Sequence, residues 1–228
     1  MYLVVGATGL LGSAICTRLR QRGQNVRAIV RHTARPETVS RLRDSGVETV
    51  AGDLKDPGSL RAACEGVRNV ISTASSTLSR QSGDSIATVD LQGQLDLVRA
   101  AKDCAADHFT FVSIPRSPVR ESPLTRAKYR VEAELAGREI PYTILAANYF
   151  MEVWLSPALG FDYLNRKAVV FGDGRQLMSW VSYEDVTEPQ TRPHLRTIPS
   201  SSTGARRQTP PHCGWDNRTR ARGSARLP

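Results

Sequence analysis

The stretch Gly6-Ala7-Thr8-Gly9-Leu10-Leu11-Gly12 limits the fold of this chain more than any other feature. Three glycines spaced three apart stand between a short apolar run, Tyr2–Val5, and a segment of helical spacing over residues 10–22 that presents Leu11, Ile15 and Leu19. At a strand-to-helix junction each glycine has its own task. Gly6 permits the tight turn off the strand, Gly9 lets a ligand approach the backbone, and Gly12 lets the helix pack closely. The helix then aims its free N–H groups and the positive end of its dipole at an anion in the turn. This predicts a dinucleotide pyrophosphate held by Gly6, Thr8, Gly9, Leu10, Leu11 and Gly12. The competing reading is a glycine turn with no ligand.

Beyond the loop the chain alternates between strand-like and helix-like segments. Strands are expected at Val26–Val30, 47–51, 69–73, His108–Ser113 and Tyr142–Ala146, and helices at 38–45, 58–64, 86–104 and 125–136. The strands are short continuous apolar runs rather than period-two alternations, as strands covered on both faces should be. With right-handed crossovers, the expectation is an α/β fold: a Rossmann-type doubly wound parallel sheet. After Ala146 the pattern loosens into a short helix within 148–155 and two short strands, 168–171 and 179–181, around the turn Gly172-Asp173-Gly174. The expected division is a dinucleotide-binding domain at 1–147, a small and incomplete substrate lobe at 148–187, and a tail at 188–228.

The end of the second strand in such folds reads the 2′ position of the adenosine ribose, and NAD-selective chains place an acidic residue there. Here the strand ends Ile29-Val30-Arg31-His32, with Arg35 close behind. A guanidinium suits a 2′-phosphate, so NADP(H) is favoured over NAD(H), although an arginine at a loop start can also be simply solvated. Asp53 and Leu54, after the third strand, are placed at the adenine, and Asp53 is equally suited to a turn or a helix cap. Thr73 and Ala74, after the fourth strand, would run along the central ribose.

Charge and composition narrow the partners. The formal charge is +9, yet residues 188–228 hold eight Arg against Glu188 and Asp216, a net +6, which leaves +3 for the rest. That tail also holds six Pro, many Ser and Thr and almost no periodic apolar residues. Such a segment cannot bury enough surface to offset its ordering entropy, and disorder is expected. Its arginines are dispersed among prolines without an aromatic stacking platform, which argues against a nucleic-acid arm. No apolar run approaches the ~18 residues of a membrane helix, and Met1 leads straight into the first strand without a signal-peptide pattern. Four scattered cysteines, Cys16, Cys64, Cys104 and Cys213, show no metal-binding spacing. Reduced thiols in a cytoplasmic protein without a metal are the expectation.

Taken in order, the glycine loop, Ala51-Gly52-Asp53-Leu54, the run from Phe109 to Ile114, the run from Arg126 to Leu135, the run from Pro141 to Glu152 and the run from Gly172 to Val186 resemble the NmrA-like NAD(P)-binding proteins, a group of atypical short-chain dehydrogenase/reductases. The resemblance covers roughly the first 187 residues. It implies a reductase for a small carbonyl, quinone or enone, or a non-catalytic NAD(P) sensor acting through a protein partner. Catalytic members of the wider superfamily carry a Ser after the fifth strand and Tyr and Lys one helical turn apart. Ser113 and Lys128 match two of these positions, but Leu124 stands where the Tyr would be, and leucine cannot donate a proton. Lys128 then binds the ribose, acts as a proton donor, or is a solvated helix lysine, and Tyr149 either faces the substrate or packs the lobe. Tyr129, about 100° around the helix from Lys128, is a poor substitute acid. Family members continue beyond the equivalent of Val186 into an apolar helix and further lobe. The Arg/Pro/Ser tail found here instead is expected to be either a frameshift product or a genuinely divergent end.

Overall fold

A computed structural model describes residues 1–79, 81–116, 121–170, 172–173, 175 and 178–190, with side chains as far as Thr187. Six parallel strands form the central sheet: β1 (Tyr2–Val5), β2 (Val26–Val30), β3 (Glu48–Ala51), β4 (Asn69–Ser72), β5 (His108–Ser113) and β6 (Tyr142–Ala146). Their order is β3-β2-β1-β4-β5-β6, all in parallel register. Strand order reverses between β1 and β4, and the chains leaving those two strands diverge there to open a crevice at their carboxyl ends. The expected doubly wound Rossmann fold is what forms.

Alternation within single strands shows both faces covered. Leu3 and Val5 enter one buried cluster with Leu60, Val98, Phe109, Phe111 and Val131, while Val4 enters another with Ile15, Leu19, Ala28 and Ile71. Burying each such side chain contributes about 1.5–3 kcal/mol, so the core around β1, β4 and β5 dominates the favourable side of folding.

Local sequence sets the helix starts. α1 (Leu10–Gln21) begins at the glycine loop, α2 (Pro36–Asp44) with proline at its first position, and α3 (Pro57–Cys64) behind the cap Asp56, which accepts from the Gly58 N–H. α5 (Pro123–Gly137) starts with a reciprocal box between Ser122 and Thr125. The expected single helix over 86–104 is two pieces. A π-helix, Ile86–Gly93, leads into α4 (Gln94–Asp103). The wider turn buries Asp90 and Gln94 beside Val89 and Gly93, which a 3.6-residue repeat did not anticipate.

The lobe differs more from expectation. β7 (Tyr149–Phe150) runs into the single turn α6 (Met151–Trp154), a 3₁₀ turn follows at Pro157–Leu159, and β8 (Phe161–Asp162) pairs antiparallel with β9 (Lys167–Ala168). β10 (Trp180–Val181) pairs in parallel with β7. The two short strands expected around Gly172-Asp173-Gly174 therefore do not pair with each other, and Phe171 and Gly174 lie outside the described residues. α7 (Tyr183–Gln190) runs past Pro189, so the expected boundary at 187/188 falls inside a helix. α7 packs on α1, burying Val186 and Thr187. The rest of the expected tail, 191–228, lies outside the described residues. No described helix is long and apolar enough to cross a membrane.

Candidate functional site

One cavity of about 1180 Å³ runs along the carboxyl edge of the sheet from the glycine loop to the lobe. Gly6, Thr8, Gly9, Leu10, Leu11 and Gly12 line one end of it. The glycines are required in different ways. Gly6 has φ +88°, and a Cβ there would stand 2.6 Å from Thr73 Oγ1. At Gly12 a Cβ would stand 2.2 Å from the Gly6 carbonyl oxygen, so this glycine lets α1 fold back on its own turn. Gly9 is unlike both. Its backbone is extended, at φ −84° and ψ 170°, and a Cβ would meet only the Gly6 carbonyl oxygen at 3.3 Å. The missing side chain at Gly9 thus leaves bare backbone lining the cavity. The first-turn N–H groups of α1 have no acceptor within the helix, and α1 has no side-chain cap. An open glycine cradle under uncapped amides fits a diphosphate.

The walls follow from the strand ends. Thr73 donates to the Val5 carbonyl, and buried Gln94 accepts from Ser72 and donates to the Ala74 carbonyl, which fixes the chain leaving β4. Thr73, Ala74, Asp53 and Leu54 all line the cavity. Asp53 also accepts from the Lys55 N–H, so it holds a turn as well. Leu54 is buried against the π-helix, where a Cβ at Gly93 would come within 2.7 Å of it. Arg31 lines the cavity but is already paired: its Nη1 lies 2.7 Å from Asp84 Oδ2. Arg35 is the exposed residue before α2 and is not among the lining residues, because the turn carries it onto the surface.

At the other end of the cavity, Lys128 is buried, not solvated. Its ammonium donates to the Val112 carbonyl at 3.1 Å, lies 4.7 Å from the centre of the Phe111 ring and 3.9 Å from Asp90 Oδ1. Burial lowers its pKa to about 8, against the opposing pull of Asp90 and Glu132. Asp90 Oδ2 accepts from Ser76 N–H and hydroxyl, while its Oδ1 is buried without a hydrogen bond. Ser113 lines the cavity too, but its hydroxyl proton goes to Glu132, which also receives Arg116 at 2.9 Å. Leu124 occupies the wall where the superfamily's acid would stand. Tyr129 donates to the Pro115 carbonyl and stacks under Arg116, away from Lys128. The lobe closes this end with Tyr149, whose ring meets Trp154 edge-on at 4.9 Å and Trp180 at 5.9 Å. Tyr149 and Trp154 both line the cavity.

Every candidate site residue from the sequence except Arg35 thus lines one cavity. Sequence reasoning missed Asp84, Asp90 and Glu132. Asp90 sits on a turn whose phase the π-helix shifts, and Asp84 reaches its partners only through the tertiary fold.

The sequence pattern of the NmrA-like family matches residues 2–174. The chain belongs to the NmrA-like family. Among similar proteins, "Photosystem II assembly factor Ycf39" of Trieres chinensis is 31% identical over 187 residues, covering 82% of this chain and 57% of that one. The "NAD(P)H azoreductase" of Xenophilus azovorans is 28% identical over 82% of this chain and 60% of its own length. Citrobacter sp. triphenylmethane reductase, solved in complex with NADP(H), shares the fold at TM-score 0.69 and 23% identity, covering 85% of this chain and 66% of that one. This NmrA-like chain therefore spans somewhat more than half the length of these two curated relatives. Its relatives include both reductases and assembly factors.

Proposed function

We propose that this NmrA-like chain is an NAD(P)H-dependent reductase that delivers hydride to a small carbonyl, quinone or enone, with NADP(H) as its nucleotide. The observation that carries the reading is the continuity of a single cavity from an open glycine cradle to a buried amine. Gly6, Thr8, Gly9, Leu10, Leu11 and Gly12 would hold the pyrophosphate, Thr73 and Ala74 the central ribose, Asp53 and Leu54 the adenine end, and Arg31 the 2′-phosphate. When bound, the nicotinamide supplies the hydride.

Lys128 supplies the proton. A proton from Nζ would reach the substrate oxygen that gains an electron pair as its carbon is reduced. The amine is later reprotonated from water. Burial lowers the pKa of this ammonium in spite of its cation-stabilising neighbours Phe111, the Val112 carbonyl and Asp90, which makes it a better acid near neutral pH than a solvated lysine. Ser113 can accept a hydrogen bond from substrate, its own proton being directed to Glu132. Tyr149 and Trp154 offer ring faces and edges to a flat unsaturated substrate. Cys16 and Cys64 are buried thiols with pKa raised to about 12 by desolvation, which leaves them poor nucleophiles and out of the reaction.

NADPH consumption by the full-length chain against a panel of quinones tests this. Turnover that disappears in Lys128→Ala while nucleotide binding persists supports the reductase. Leu124 in the acid position and the assembly-factor relatives favour a second reading, an NAD(P) sensor that acts through a protein partner. Nucleotide binding with no turnover on any acceptor would select it.

A further inference from the structure

The adenosine end of the cavity holds a charge arrangement that its two cations alone would not suggest. Asp84, from the segment joining β4 to the π-helix, has a side chain only 2% exposed. One of its oxygens takes Arg31 at 2.7 Å and the Ser79 hydroxyl, and the other takes Lys55 Nζ at 2.6 Å. Burial alone would raise its pKa, but the hydrogen bonds from Lys55, Ser79 and Arg31 outweigh burial and hold the carboxyl far below the usual range. These contacts favour its ionised form. Asp53 Oδ2 also lies 3.8 Å from Lys55 Nζ. Two cations and two carboxylates therefore meet where β2 and β3 end, and the cluster is neutral overall.

We propose that Asp84 is the residue that sets this chain's balance between NADP(H) and NAD(H). The inference rests on the dinucleotide reading of the cavity. A 2′-phosphate at this end would meet the guanidinium of Arg31 on the cavity wall, with the Lys55 ammonium behind it on Asp84, and Asp84 already holds both. A dianion brought beside that carboxylate meets partners already in use and a like charge within the same wall. A ribose 2′-hydroxyl meets no such opposition. It finds in Asp84 an acceptor of the kind that NAD-binding folds carry at the end of β2, here supplied from the β4 side. Arg31 and Lys55 thus draw in NADP(H), and Asp84 limits the margin by which it wins.

The test is equilibrium binding of NADPH and NADH to the full-length chain, read by quenching of tryptophan fluorescence. Asp84→Asn keeps the shape and the Ser79 contact while removing the charge. It should tighten NADPH by about tenfold and leave NADH unchanged or weaker. Lys55→Gln, at an exposed side chain, reads the same balance from the other side and should weaken NADPH several-fold with NADH little changed. A thermal melt confirms that each variant folds; if Asp84→Asn does not fold, the Lys55→Gln result decides. A ratio of the two dissociation constants in Asp84→Asn within threefold of the parent, or a shift toward NADH, overturns the role of Asp84 while the cofactor reading stands. So does an NADPH affinity unaffected by Lys55→Gln. Failure of the parent chain to bind either nucleotide overturns both.

Discussion

On the glycine-loop side of the cavity, the groups that would meet a ligand are backbone amides held from several directions. Gly6 is wedged under Thr73, Gly12 against the Gly6 carbonyl, and β1 lies between β2 and β4. On the lobe side they are side chains on elements two to four residues long, and among the described residues every exposed large apolar side chain except Leu10 and Leu78 falls between Tyr149 and Trp180. One side is over-determined by the sheet, while the other is a patch of Tyr149, Trp154 and Trp180 tied down by Glu152, which accepts from the Ser182 hydroxyl at 2.6 Å and from the Tyr183 N–H. The difference separates two tasks. On the function proposed above, a nucleotide would be recognised by a backbone that cannot change, and an acceptor by a surface that can vary without unfolding the sheet.

Substitutions can break or sharpen that contrast. The largest effect on folding is expected at Gly12→Ala, where the new methyl would overlap the Gly6 carbonyl. The loss should be roughly 2–4 kcal/mol, seen as a fall in Tm. An unchanged Tm would mean the turn is less constrained than its geometry implies. Next comes Lys128→Met, which should cut turnover of a quinone by about a hundredfold or more while nucleotide affinity stays within a few-fold. The parent rate should be flat below pH ~8 and fall above it, since the acid must hold its proton and its pKa is lowered to about 8.

On the lobe, Trp154→Ala should raise KM for an aromatic acceptor by about tenfold, with little change in Tm or in nucleotide affinity. Equal losses in nucleotide affinity would mean that the two sides are not separate. The smallest shift is expected from Asp90→Asn. The Asp90 carboxylate raises the lysine's pKa, so its removal should move the alkaline fall in rate downward by about one pH unit.

The glycine-loop side of the fold was legible in the sequence and the lobe was not, for the same physical reason. Gly6, Gly9 and Gly12 between an apolar run and a 3.6-residue repeat specify a turn locally, and the strands from Tyr2 to Ala146 each announce themselves as doubly covered apolar runs. Strands of two residues carry no such periodicity. The pairing of Trp180–Val181 with Tyr149–Phe150 depends on chain separated by some thirty residues, and the hairpin of Phe161–Asp162 with Lys167–Ala168 left no readable alternation. Asp84 and Asp90 were invisible for a different reason. Each is an ordinary acidic residue until the fold brings Arg31 and Lys55 to one and Lys128 to the other. Arg35 was drawn in by its nearness to Arg31 in the chain, and the turn before α2 carries it away.

The account rests on the bare backbone at Gly9. Its φ and ψ suit a valine, whose Cβ would press on the Gly6 carbonyl oxygen at 3.3 Å and whose bulk would crowd the expected diphosphate. Titration of the full-length chain and of Gly9→Val with NADPH and NADH, followed through Trp154 and Trp180, tests this most directly. The prediction is saturable quenching in the parent and its loss in a Gly9→Val protein with parental Tm. Equal binding in both, or none in the parent, would contradict it.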